Sequence, residues 1–331
     1  MTPEPAKRRW KGAVLRLGGS AVALGLLLWM LPVDQLWAAM RRLPLWVFAV
    51  TLALYMAAHA VATLKWRMMV NTAGAGLGMA LATRCYFAGL FGNVFLPSIV
   101  GGDLIRAGLA MRSAQHRAGA VLASLVDRML DVLALGLLAG FGALMVPRAL
   151  DERSRRVFLL LAGAFAALVL GAALLVALFP PRRFSHRRRR KLVKVRQAVR
   201  AMTRQPGRVA AVLALAVCLQ ASFALLNAWI GRWCGLEIPL YVWLFAWPLG
   251  KLSAMLPVTQ GGIGVREAAL AALLLPFGVP AVLSVAVGLI WQFVVVSGGL
   301  VGGGIALLAG QKRFTAGDAG DTEAATIRQT N

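Results

Sequence analysis

Acidic residues are scarce in this chain. Only 12 of 331 residues are Asp or Glu, against 36 Lys or Arg, and the formal net charge is +24. Between Glu152 and Glu237 there is no acid at all. Few carboxylates leave little material for metal ligation or general-base work, and no clustered carboxylate or histidine motif is present. Cysteine and histidine are equally rare, three of each. Cys85, Cys218 and Cys234 stand far apart and pair with no histidine at ligand-like spacing. That excludes a zinc site, a redox pair and a disulfide framework, and makes them small apolar packing residues. No Walker A pattern occurs, so ATP hydrolysis by this chain is not expected. No catalytic residue, metal or cofactor is assigned.

Long apolar runs are what the chain has in abundance. The hydrophobic fraction is 60% and the mean hydropathy +0.74, above the roughly one half that is apolar in soluble domains. Several runs reach the roughly 20 residues needed to cross a bilayer as helix. In a soluble protein a charge of +24 would point to nucleic acid. Here it is topological: basic residues crowd into loops and mark the cytoplasmic side. Nucleic acid is therefore not an expected partner. The first run, Gly12 to Leu31, follows Lys7, Arg8, Arg9 and Lys11. It reads as a retained transmembrane helix, since its apolar core is long and no small-residue cleavage site follows.

The basic loop from Arg182 to Arg208 must be cytoplasmic, and the remaining spans count outward from it. The first run goes out and Leu45 to Leu64 returns to Lys65 and Arg67, read with Trp66 as an interfacial anchor. An apolar arm, Leu77 to Leu96, breaks at Pro97 and leads to a charged stretch with both ends inside. Gly119 to Val146 runs out and Val157 to Phe179 runs in. Val209 to Trp233 then runs out, Leu240 to Leu256 descends and breaks, Glu267 to Leu275 climbs back, and Ala281 to Ala309 returns to the cytoplasm. The order helix, helix, re-entrant hairpin, helix thus occurs twice with opposite orientation. The expected fold is all-α and polytopic, with about six transmembrane helices plus two re-entrant hairpins in an inverted repeat; full spanning by the hairpins would raise the count to eight or more. The divisions are a basic cytoplasmic segment 1–11, a first half 12–179, a basic linker 180–207, a second half 208–310, and a polar cytoplasmic tail 311–331 expected to be disordered. Both termini lie inside, and the predicted location is the bacterial cytoplasmic (inner) membrane. In the linker, Leu192, Val195, Val199 and Met202 recur at near-helical spacing, as in an amphipathic helix on an anionic leaflet.

Each break carries the same pattern, Leu-Pro-x-x-x-Gly-Gly-x-x-x-Arg. It is written first as Leu96, Pro97, Gly101, Gly102 and Arg106, and again 160 residues later as Leu256, Pro257, Gly261, Gly262 and Arg266. Proline, a glycine pair and a charge are what lipid normally forbids. Paired breaks in corresponding positions of two halves point to a transporter's substrate site. Pro97 and Pro257 would end the incoming helices, and the glycines would take backbone angles closed to other residues. Helices restarting beyond them would turn free N–H groups toward an anion. A competing role for the glycines is tight packing of the hairpin.

Arg106, Arg266 and Lys251 are the candidate anion ligands, holding a lipid phosphate in a polar chamber. Asp103 and Glu267, beside the arginines, would pair with them and release them on substrate entry, or carry protons. The alternative for Arg106 and Lys251 is snorkelling to the interface. Asp127 and Asp131, one helical turn apart, could be a proton or cation site or, with Arg128, a structural ion pair. His59 reads as a packing residue.

At these motifs the chain resembles the membrane domain of bacterial lysylphosphatidylglycerol synthases and the flippase-like proteins that share it. The residues carrying the resemblance are Trp66-Arg67, Asn93 to Pro97, Gly101 to Arg106, Asp127-Arg128, Leu256-Pro257 and Gly261 to Glu267. It spans about residues 10 to 310. The resemblance implies transbilayer movement of a lipid, aminoacylated phosphatidylglycerol in the fused enzymes. Here no synthase domain is expected after the membrane region, so aminoacylation is not carried over. Relatives of this length in hopanoid or isoprenoid-linked glycolipid pathways leave the lipid open. The expected function is a flippase for an anionic, aminoacylated or isoprenoid-type lipid. Two rivals stand beside it: a membrane-bound transferase using Asp103 or Asp127, and a non-catalytic partner of a separately encoded lipid-modifying enzyme. Membrane lipids are the expected partners; the sequence fixes neither the oligomeric state nor the coupling ion.

Overall fold

The computed structural model describes residues 31–95, 99–145, 199–255 and 262–329, with a few isolated positions between them. Among these residues there are nine α-helices, one 3-10 turn and no strand. The N-terminal segment, most of the first predicted span, the run Val157 to Phe179 and the linker through residue 192 lie outside the described residues. So do Pro97, Pro257 and Gly261.

α1 (Val33–Arg41) is a short helix that the hydropathy runs do not announce. Pro32 starts it, and Leu36 and Ala39 bury against Val282, Val285 and Ala286, while Val33 and Trp37 stay exposed. Arg41 lies 4.8 Å over the Trp37 ring. Such a pairing of apolar, aromatic and basic faces suits a membrane interface. α2 (Leu45–Thr72) follows Pro44 and runs two turns past the predicted end at Leu64, because nothing from Lys65 to Thr72 breaks a helix. It stops at Gly74, which takes φ +78. Asn71 then clamps the next loop, its side chain accepting from the Leu77 N–H at 2.7 Å and donating to the Leu77 carbonyl at 3.0 Å.

α3 (Met79–Phe95) and α4 (Ile99–Ser113) form the first broken pair. α5 (Arg117–Met145) is the long charged helix and α6 (Pro206–Trp233) begins the second half. α7 (Leu240–Ser253) and α8 (Val265–Leu274) form the second broken pair. A 3-10 turn at Leu275–Phe277 and Gly278 at φ +74 lead into α9 (Ala281–Gln329). α2, α6 and the Ala281–Gly310 part of α9 are long and apolar enough to cross a membrane. α9 departs from the predicted boundary: its backbone stays helical to Gln329, where residues 311–331 were expected to be disordered. No proline follows Pro280 to stop it.

The halves correspond element by element. α2 and α6 each contain 28 residues, start 161 residues apart at Leu45 and Pro206, and end 161 apart at Thr72 and Trp233. Exchanging α2 with α6, α3 with α7, α4 with α8 and α5 with α9 maps each main packed pair onto another. α3 against α9 becomes α7 against α5, α3 against α4 becomes α7 against α8, and α4 against α5 becomes α8 against α9. α2 against α6 maps onto itself, joined by Tyr55 on Phe223 and Trp46 on Trp233. The two broken pairs are thus exchanged between halves, each lying against the other half's long helix. Around them sits a core of Phe223, Trp243, Trp247 and Trp291 on one side and Trp66, Met69 and Cys85 on the other.

Among the described residues, the glycines Gly101 and Gly102 of the first motif and Gly262 of the second do different work, which differs from the expectation of equivalent breaks. Gly101 and Gly102 lie inside the first turn of α4 with helical backbone, not among the positive-φ glycines. Gly102 is there for close approach: a Cβ on it would meet the Gly89 carbonyl and the Asn93 side chain. Its N–H donates to Asn93 Oδ1 at 3.0 Å. At the second break Gly262 and Gly264 take φ +75 and +85, the conformational role the sequence suggests. Gly102→Ala is expected to force α3 and α4 apart, destabilising by about 1–3 kcal/mol as overpacking does. Gly108→Ala on the same helix, where a Cβ meets nothing within 4 Å, is expected to be neutral or slightly stabilising. Thermal unfolding of the detergent-solubilised protein measures the contrast; equal melting of the two variants would contradict the close-approach role.

Candidate functional site

The first broken pair delivers Arg106 to the middle of a buried ion network. One turn along α4, Asp103 lies 3.0 Å from the Arg106 guanidinium, and Asp127 of α5 lies 3.7 Å from it. Asp103 also meets Arg128 at 3.5 Å. Lys65 of α2 closes the set from the other side, 2.9 Å from Asp127 and 2.6 Å from Asp131. Three carboxylates therefore alternate with three cations across α2, α4 and α5. The guanidinium of Arg106 also lies over the rings of Trp66 and Tyr86, at 5.1 and 5.3 Å. Trp66 is held in place by its own donation to Ser124 Oγ at 3.1 Å.

The arrangement decides between the readings of Arg106. Its side chain is buried at 7% exposure and pairs inward, so it does not snorkel. It also moves Lys65 and Trp66 from anchor to core. Lys65 is 2% exposed and Trp66 fully buried, because α2 continues past them. Sequence reasoning missed Lys65; the available signal was its spacing, since Lys65 and Thr72 share a buried face with Tyr55 and Ala62. Missed too were Tyr86, whose hydroxyl lies 3.1 Å from His59 Nδ1, and Asn93. His59 is more than packing: with Tyr86, Gly89, Asn93, Gly102, Asp103, Arg106, Arg128 and Asp131 it lines a cavity of about 90 Å³. Asp103 Oδ2 and Arg106 Nε are buried there without a hydrogen-bond partner among the described residues. The space suits a few waters or a small polar group. A larger hollow of about 640 Å³ between the end of α6 and the start of α7 is lined by Leu225, Trp229, Arg232, Glu237 and Leu240; it is an open surface recess without an ion network.

The second broken pair builds a smaller version. Arg266 meets Glu267 Oε1 at 2.5 Å and donates to the Gly288 carbonyl at 3.2 Å and to Gln292 Oε1 at 3.0 Å. Glu267 also accepts from the Gly264 N–H at 2.7 Å. The Glu267 carboxylate thus sits at the start of α8, on the N–H of its N-cap residue. Gly288 and Gln292 of α9 face Arg266 as Asp127 of α5 faces Arg106. A Cβ on Gly288 would run into Glu267 Cγ, so the Glu267 side chain occupies the space that an acid on the long helix fills in the first half. Gln220 accepts from Lys251 Nζ at 2.8 Å. Lys251 also lies 4.7 Å over the Phe223 ring. Phe223 touches His59, Tyr55 and Trp291, so an aromatic bridge joins the two half-sites. Of the candidates, Arg106, Asp103, Asp127 and Asp131 are brought together directly. Arg266 and Glu267 form their own pair, and Lys251 lies between the two groups.

Lys65 is the keystone of the first network, and its removal should show that. Lys65→Met leaves Asp131 without its cation and Asp127 with Arg106 alone at 3.7 Å, and breaking a buried pair in this way costs about 3–5 kcal/mol. Lys65→Met with Asp127→Leu removes charge of both signs and is expected to recover part of the loss. Melting temperatures in detergent report both. A Lys65→Met protein as stable as the wild type would return Lys65 to the interface.

The sequence matches the family described as the lysylphosphatidylglycerol synthase TM region over residues 14–303. No curated protein and no solved structure matches the chain. The family match runs through both broken pairs, the eight charged residues of the two networks and Lys251, in a protein whose described residues are helical and include membrane-length helices. The chain belongs to the lysylphosphatidylglycerol synthase transmembrane-region family.

Proposed function

We propose that this protein is a lipid flippase of the bacterial inner membrane, with its headgroup path running between the two broken helix pairs. The observation that carries this reading is the ion network around Arg106 and its partner around Arg266, set on helices too short to span. α4, α7 and α8 have 15, 14 and 10 residues, below the roughly 17–25 of a spanning helix, and α3 with 17 stands at its lower limit. Their lengths support re-entrant hairpins, and the exchange of packed pairs supports an inverted repeat. Together these are the parts of alternating-access transport, in which broken helices meet near the midplane. The charge bias of the loops supports cytoplasmic termini.

In this reading Arg106 is the exchangeable cation. Asp103 and Asp127 hold it when no lipid is present, and a headgroup phosphate entering the 90 Å³ cavity displaces Asp103, which keeps Arg128. The small volume corresponds to a closed state, so loading requires α3 and α4 to separate along the Gly89–Gly102 contact. Opposing a transferase, each of Asp103, Asp127 and Asp131 is paired with a cation. Opposing a purely non-catalytic partner, charged side chains inside a membrane protein are costly and are kept where they act.

Purified protein in liposomes carrying fluorescent phospholipid should accelerate exposure of the label to dithionite. Arg106→Gln should reduce that rate about tenfold or more while the protein stays folded, since it removes a charge-assisted contact of roughly 1.5–3 kcal/mol. Unchanged exposure with Arg106→Gln would remove the site from the path; no acceleration by the wild type with any phospholipid would favour the partner reading.

A further inference from the structure

The eight charged side chains of the two networks, taken with Lys251 between them, do not cancel. The first contains Lys65, Arg106 and Arg128 against Asp103, Asp127 and Asp131 and is neutral. The second contains Arg266 against Glu267 and is neutral. Lys251 is left over. Among the described residues its ammonium has no carboxylate within ion-pair distance; it has an amide oxygen, Gln220 Oε1 at 2.8 Å, and the face of Phe223 at 4.7 Å. These partners stabilise a cation without neutralising it. One turn earlier on the same face of α7, the indole N–H of Trp247 is buried with no acceptor among the described residues. Lys251 lies within electrostatic reach of Arg128, Asp131, Arg266 and Lys65, and His59 lies within reach of both Lys251 and Arg106. The unmatched charge thus sits between the two half-sites, at the point a headgroup crosses in passing from one to the other.

We propose that Lys251 is where this chain receives the negative charge of its lipid, and that the charge is single: a phosphodiester headgroup of net −1. The inference deepens the flippase reading and rests on it for the lipid. The charges of Arg106 and Arg266 are already balanced by carboxylates, whereas Lys251 can take an anion without breaking any ion pair. Occupied by one negative charge, the buried set is electroneutral, the condition under which a headgroup crosses a low-dielectric interior at least cost. A pyrophosphate brings surplus negative charge. A lysylated phosphatidylglycerol brings two ammonium groups with its one phosphate, adding positive charge to a site that already has an excess. Neither closes the balance.

Binding is measured on the full-length protein in detergent by native mass spectrometry. The probes are phosphatidylglycerol, lysylphosphatidylglycerol and a polyprenyl pyrophosphate, with soluble glycerophosphoglycerol as competitor. The wild type should hold phosphatidylglycerol about tenfold more tightly than either other lipid. Lys251→Gln should erase that preference and Lys251→Arg should keep it. Lys251→Gln should also melt no lower than the wild type, since it removes an uncompensated charge; a structural lysine would instead lower the melting point. Competition by glycerophosphoglycerol would assign recognition to the phosphodiester itself, and its failure would assign the acyl chains a share. A preference that survives Lys251→Gln, or a wild type that prefers the pyrophosphate or the lysylated lipid, would overturn the proposal. The outcomes separate from those of the flippase reading. Lys251-dependent binding without lipid movement in liposomes would keep this site and refute transport, and movement with selectivity indifferent to Lys251 would do the reverse.

Discussion

A charge placed inside apolar surroundings must find its counter-charge there, and in this protein that requirement decides how the helices meet. Lys65 comes from α2, Asp103 and Arg106 from α4, and Asp127, Arg128 and Asp131 from α5. None of these side chains could be buried by its own helix. The contacts of 2.6 and 2.9 Å between α2 and α5 and of 3.5 and 3.7 Å between α4 and α5 fix the depth and rotation of the three helices together, because a slip by one residue would leave unpaired charge in the core. The α3–α4 crossing at Gly89 and Gly102, the clamp of Asn93 on the Gly102 N–H and the ring of Trp66 beneath Arg106 all serve to hold that geometry.

The second half solves the same problem with different residues. Its arginine keeps its place in the motif, but the acid moves from the long helix to Glu267, and Gly288 makes room for it. The change of position has a consequence for behaviour. In the first half the arginine shares carboxylates with other cations and borders a cavity; in the second it is locked to an adjacent carboxylate, a backbone carbonyl and Gln292. Lys251, with neither a shared carboxylate nor a lock, stands between them.

Much of this was legible in the sequence. The duplicated motif located both broken pairs, and hydropathy placed α2, α6 and α9, because helix periodicity and proline act locally. Arg106, Asp103, Asp127 and Asp131 were recognised one by one because charge in an apolar run stands out. What local reading could not supply was their assembly: Asp127 reaches Lys65 across 62 positions of sequence, and only packing brings them together. Lys65 was misplaced for a related reason. A basic residue after twenty apolar ones looks like the end of a span, and the signal that α2 continues is only the absence of a breaker before Gly74. The different roles of Gly102 and Gly262 were also out of reach, since Gly101-Gly102 and Gly261-Gly262 are identical as text. α1 escaped because nine residues of mixed polarity make no hydropathy run.

The central claim is that a lipid headgroup enters the space around Arg106. A phospholipid carrying a photoreactive group near its phosphate, crosslinked to the protein in liposomes and mapped by mass spectrometry, tests it most directly. The account predicts labels on α3, α4 and α5 around Tyr86, Asn93 and Asp131. Labels confined to lipid-facing residues such as Leu54, Leu137 and Phe293 would contradict it.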